Sequence, residues 1–142
     1  MGLKLNREKT RVVQMREEGA CLGFLGYSFR FDRDLQGCPR RYLNVFSSKK
    51  AVVRERAKLR EFTGPQRGFV PVAQLIGELN RHLRGWANYF GYGYPGQAFR
   101  EINRYVRVRM NRHLRRRSQR RYRAPGGQSL YGHLAELGLV YL

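Results

Sequence analysis

The sequence predicts an α+β fold: a small N-terminal antiparallel β-hairpin region, then a basic three-helix bundle, then a short C-terminal helix. Three observations predict it. Aromatic residues alternate with polar ones over residues 27–31. Three later stretches place apolar residues at helical spacing. The breaks between them are rich in Gly and Pro. With 142 residues, 42% hydrophobic and 13% aromatic, the chain holds enough apolar material for one core.

The elements follow in order. Thr10–Met15 is rich in β-branched residues and reads as a short strand. Leu22–Phe31 is aromatic-rich, with Tyr27, Phe29 and Phe31 alternating with Ser28 and Arg30. Asp32-Arg33-Asp34 suits a turn, and Arg41–Phe46 reads as the return strand. Near Ser47-Ser48 the pattern changes, which divides the chain into 1–47 and 48–142. Ser47 or Ser48 caps a helix that runs to about Phe62, with Val52, Leu59 and Phe62 as its apolar stripe. Residues 63–68 form a loop, and Pro71 fits the first turn of the next helix. That helix carries Val72, Leu75, Ile76, Leu79, Leu83, Trp86 and Phe90 on its apolar face. Residues 91–96 break it. The third helix has the stripe Phe99, Ile102, Val106, Met110 and Leu114. A loop at 124–127 precedes a short helix near Ser129–Leu137.

Charge narrows the function. The chain has 29 Lys+Arg against 10 Asp+Glu, a formal charge of +19. Residues 1–48 contribute nine basic and five acidic residues, and residues 49–142 contribute twenty and five. Such an excess calls for a polyanion, and nucleic acid is the default partner. Arg outnumbers Lys, which occurs at only five positions. Guanidinium grips phosphate bidentately and stacks on bases. Arg100, Arg104, Arg107 and Asn111 form a helical stripe opposite the apolar one. From Arg112 to Arg123 there are seven Arg in twelve residues and no acid, including Arg115 and Arg116. Lys49 and Lys50 open the basic half. On the second helix Asn80, Arg84 and Asn88 share a polar face beside Arg81. Tyr92 and Tyr94 leave that helix among glycines and serve either packing or base stacking. Trp86 and Phe90 belong to the core stripe. The run Asn80–Arg84 recurs as Asn111–Arg115, with flanks that do not match.

No catalytic group stands out. The carboxylates are scattered, and neither a phosphate loop nor a nucleophile–base pair occurs. Cys21 and Cys38 are far apart with no metal-ligand spacing, so no metal site is expected and two free thiols in a reducing cytoplasm fit. No apolar stretch approaches the length of a membrane span.

Several segments resemble one family. Gly2-Leu3-Lys4-Leu5-Asn6-Arg7-Glu8-Lys9-Thr10 resembles the late palm motif of group II intron reverse transcriptases. Phe24-Leu25-Gly26-Tyr27 is similar to the primer grip that follows it. Pro71–Tyr94, above all Leu79–Phe90, resembles the maturase-specific domain, and Ala98–Arg117 continues it. Leu130-Tyr131-Gly132 with Leu137-Gly138-Leu139 resembles the usual end of such proteins. The resemblance implies a C-terminal piece: the end of the palm, the thumb and the maturase domain. Met1 then opens inside what would be the palm, and the motif that binds the catalytic metals is missing. Lys9 would match a palm lysine, and Phe24–Tyr27 would position a primer end. The helices would hold structured RNA, group II intron RNA above all, or a template–primer duplex. The implied mechanism is stabilisation of folded intron RNA while the RNA performs the chemistry. No cofactor is expected; magnesium would enter only with bound RNA or a palm. Three other readings stay open, one of them a nonfunctional remnant whose palm-derived strands at residues 10–46 lack partners. Otherwise the chain would be the C-terminal subunit of a split reverse transcriptase completed by a fingers–palm chain, or a generic basic nucleic-acid-binding protein.

Overall fold

The computed structural model describes residues 2–4, 6–37, 39–118 and 120–142. Cys38 lies outside them, and Cys21 is an exposed free thiol. Three strands form an antiparallel meander: β1 (Cys21–Phe24), β2 (Tyr27–Arg33) and β3 (Arg41–Ser47). Three expectations need correction here, the first being the turn at Asp32-Arg33-Asp34, since Asp32 and Arg33 continue β2 and pair with Tyr42 and Arg41. Thr10–Met15 is coil and turn, because no neighbouring strand takes up its backbone hydrogen bonds. Leu22–Phe31 is two strands with a tight reversal inside it. Phe24 pairs with Tyr27, so Leu25 and Gly26 alone make the turn. Both have positive φ, 51° and 84°, as a type I′ hairpin turn demands. The apolar and aromatic residues continue on both sides of that turn, with Leu25 inside it, and so conceal it.

Four helices follow: α1 (Lys49–Phe62), α2 (Val72–Phe90), α3 (Gly96–Arg116) and α4 (Leu130–Glu136). Ser48 caps α1, its Oγ accepting from the Ala51 N–H at 3.1 Å. Ser129 caps α4 in the same way through Gly132 at 3.1 Å. Pro71 ends at the N-cap of α2, one residue ahead of its first turn. The apolar stripes meet as expected: Leu59, Leu75, Leu79, Leu83, Ile102 and Met110 are fully enclosed, and Leu134 from α4 joins them. Each such side chain contributes about 1.5–3 kcal/mol relative to exposure.

Polar residues also enter the core. Glu55 lies on the buried face of α1 and meets His82 Nε2 at 2.9 Å. Burial pushes its carboxyl above the ordinary range, against the pull of His82. On α3, Arg109 is buried and donates through Nε to Thr63 Oγ1 at 3.0 Å. Thr63, just past α1, also donates to the Leu59 carbonyl at 2.8 Å, and its own carbonyl accepts from Arg116 at 2.5 Å. Arg117 donates to the Val70 carbonyl. Arg109 and Arg116 therefore satisfy acceptors at the end of α1, where cations also favour the helix dipole, and Arg117 one in the loop before α2. The repeated Asn-Arg-His-Leu-Arg run serves one geometry twice. His82 and His113 both face the end of α1, Leu83 and Leu114 are buried, and the flanking arginines are exposed.

The sheet packs on the helices through its turns. The Tyr89 hydroxyl donates to the Leu25 carbonyl at 2.9 Å, and the Tyr27 hydroxyl donates to the Tyr89 carbonyl. The Ser48 N–H donates to Gly26 at 2.7 Å. At the other end, Gly93 in the α2–α3 loop adopts φ 73°, and a Cβ there would lie 2.3 Å from the Val45 carbonyl oxygen. That close approach lets the Tyr94 N–H donate to Val45 at 2.8 Å.

Candidate nucleic-acid interface

Docking the sheet on the helices creates grooves, and the grooves join. One, of about 1090 Å3, runs between the Phe24–Tyr27 turn, the start of α1 and the end of α2. Phe24, Leu25, Gly26 and Tyr27 line one wall, Lys49, Lys50 and Arg54 another, and Trp86, Tyr89 and Phe90 the floor. Arg30, Phe46 and Lys49 also line a second groove of about 580 Å3, which continues past Tyr94 to Arg100. Arg100 belongs as well to a third, of about 250 Å3, with Asn103, Arg104, Arg107, Tyr131 and Tyr141. Shared lining residues, Arg30, Phe46 and Lys49 at one junction and Arg100 at the other, set the three grooves in series as a track from the β-turn to the C-terminal tail. Among the described residues Glu55, enclosed against His82, is the one acid lining these three grooves; Asp32 pairs with Arg30 at their wall, and Glu101 lines a side groove that shares Phe46 and Lys49. The track is thus cationic along its length and interleaved with aromatics, the composition that holds a nucleic-acid backbone and stacks its bases.

Arg30 is held in place on this track. It meets Asp32 at 2.7 Å and lies over the Phe46 ring, 5.3 Å from its centroid. Arg30 first, and Asn44 second, keep the Asp32 carboxyl below its usual range. That pair is largely open to water, so it orients the guanidinium more than it stabilises the fold.

The residues expected to bind RNA separate into three groups. Lys49, Lys50, Arg100, Arg104 and Arg107 come together on the track. Arg81, Arg84, Asn88, Tyr92, Arg112 and Arg115 are exposed but line none of its grooves. Asn80 and Arg116 are engaged inside the protein. Both ends of the Asn80 carboxamide are used, Nδ2 donating to Gly138 at 2.7 Å and Oδ1 accepting from Val140 at 2.8 Å. Arg116 holds the Thr63 carbonyl. Lys9 sits on an exposed turn, its N–H donating to Asn6 at 3.1 Å, away from the track. The Phe24–Tyr27 turn is on the track, anchored by Tyr89 and Ser48.

Arg30, Arg54, Asn103 and Tyr141 were not legible as site residues. Arg30 carried the right alternation, since it faces opposite Phe29 on a strand. Tyr141 carried no local signal, because it reaches Tyr131 only after the tail folds back.

The fold and this surface define an α+β protein with a cationic, aromatic-lined groove along its helical half. The chain belongs to the group II intron maturase family, for the family's maturase-specific domain matches residues 52–128, just over half of the sequence. That segment spans most of α1, all of α2 and α3, and the loop beyond them. Searches of curated proteins and of solved structures returned no match. The protein is related to group II intron maturases, and its helical half is the part that carries the relationship.

Proposed function

We propose that this chain binds group II intron RNA along the track and stabilises its folded form, leaving the transesterification to the RNA. The observation that carries the reading is the alignment of Lys49 and Lys50, just ahead of the matched maturase-specific segment, with Arg100, Arg104 and Arg107 inside it, on grooves lined with aromatics. Holding RNA this way requires charge and shape, not a metal centre. A salt series tests it, comparing a group II intron RNA with an unrelated duplex of similar length. Preference for the intron RNA that persists at moderate salt is the expected result. Equal affinities that vanish together as salt rises would leave a polycation with no maturase role.

One observation favours a second reading, the C-terminal subunit of a split reverse transcriptase. Strand β1 is an edge strand, and Leu22 and Phe24 on it are exposed, 40% and 61%. A separate fingers–palm chain would pair with that edge and cover those side chains.

A further inference from the structure

The tail end of the track holds a feature that phosphate binding does not require. Tyr131 of α4 and Tyr141 of the tail stack with ring centroids 4.5 Å apart and planes 20° from parallel. The Tyr141 hydroxyl donates to the Tyr131 carbonyl oxygen at 3.4 Å, which fixes the pair. Tyr131 nonetheless stays 48% exposed. Both rings line the same groove as Arg100, Arg104 and Arg107. Residues 131 and 141 also lie beyond the matched maturase segment.

Two asparagines hold the tail in this position. Asn80 on α2 takes Gly138 and Val140. Asn103 on α3 takes Leu142 at both ends of its carboxamide, donating from Nδ2 at 2.8 Å and accepting at Oδ1 at 2.9 Å. Each side chain satisfies a backbone donor and a backbone acceptor, as a neighbouring strand would. The tail is thereby tied to two helices of the bundle, and Tyr141 is delivered to Tyr131 beside three arginines that have no acid in their groove.

A groove of about 250 Å3 is too small to admit a duplex, whose base faces are in any case covered by their neighbours. An unpaired base has a free π-face and fits. We propose that the Tyr131–Tyr141 pair is a stacking shelf for an unpaired RNA base, with the adjoining phosphates held by Arg100, Arg104 and Arg107. The inference rests on the RNA-binding reading and narrows it: this end of the track takes a single-stranded segment.

The test uses the full chain and two probes. One is a short single-stranded oligoadenylate carrying a fluorescent adenine analogue; the other is an RNA duplex of equal length. Tyr131→Leu is expected to weaken oligoadenylate binding by about fivefold or more, the low end for stacking on one aromatic ring. Duplex affinity and the salt slope should stay unchanged, because no charge is removed. Tyr131→Phe, which keeps the ring, should match the native protein on both probes. An oligoadenylate affinity unmoved by Tyr131→Leu overturns the shelf, as does an equal loss on both probes. The native protein supplies a readout that needs no variant. Saturation with the oligoadenylate should change the fluorescence of the stacked analogue, and duplex binding without such a change also overturns the shelf while sparing the RNA reading. Binding of neither probe overturns both.

Discussion

Arg100, Arg104 and Arg107 are the sharpest place to perturb the interface, because their contribution to binding has a calculable salt signature. They are exposed, lie on one face of α3 over about 10 Å of helix, and line the narrow end of the track, a groove with no acidic side chain among its lining residues. If each neutralises one phosphate, replacing all three with Gln removes three counterion-release terms. On a single strand the slope of log affinity against log salt should become shallower by about 2.1. Extrapolated from ~1 M to ~0.1 M salt, that is a loss of about two orders of magnitude in affinity. The assay is fluorescence anisotropy with labelled RNA across a salt series. A second triple variant, Arg7, Arg11 and Arg16 to Gln, removes the same net charge from exposed positions outside the grooves. Its slope should change by much less. Equal losses from the two triples would show that total charge, not this face, determines binding. An unchanged slope in the α3 triple would show that these arginines touch no phosphate.

Three further outcomes test the fold beneath the interface. Arg109→Ala should lower the unfolding free energy by about 1–3 kcal/mol in urea titrations, because it leaves the buried Thr63 hydroxyl oxygen without its charged donor; a change under about 0.5 kcal/mol would contradict this. His113 is enclosed, and burial first, with the neighbouring arginines adding to it, lowers its pKa despite a hydrogen bond to the Thr63 backbone. The unfolded chain therefore takes the proton first, so stability should decline as pH falls below about 6.5, and His113→Gln should remove that part of the slope. Gly93→Ala should destabilise by about 1–3 kcal/mol, since it sets a Cβ against the Val45 carbonyl at a positive φ, and a native-like melting curve would refute the close docking of loop on sheet.

Much of this architecture was legible in residue spacing, and the rest was hidden for identifiable reasons. The three long helices could be read because each buries one stripe and interrupts it with Gly and Pro, so periodicity and loop chemistry agree. The turn at Leu25-Gly26 could not, since a leucine at φ 51° gives no warning and apolar and aromatic residues continue on both sides of it. Thr10–Met15 has strand-forming residues but no pairing partner, and propensity does not make a strand without one. The arginine run showed its charge but not its division of labour. Arg109 and Arg116 bind acceptors at the end of α1 and Arg117 one in the loop before α2, while Arg100, Arg104 and Arg107 face the groove. Only the three-dimensional relation of α3 to Thr63 separates them. Asn80 misled for the same reason, as its partners lie 58 and 60 residues away in the tail.

The central claim is that RNA follows the joined grooves from the Phe24–Tyr27 turn to the Tyr131–Tyr141 pair. Ultraviolet cross-linking of the native protein to a group II intron RNA, with the attachment sites read by peptide mass spectrometry, tests that path most directly. The account predicts attachments at Phe24, Tyr94 and Tyr131, with few or none on the exposed face of α2 that carries Arg81, Arg84 and Asn88. Attachments concentrated on that α2 face, with none along the grooves, would contradict it.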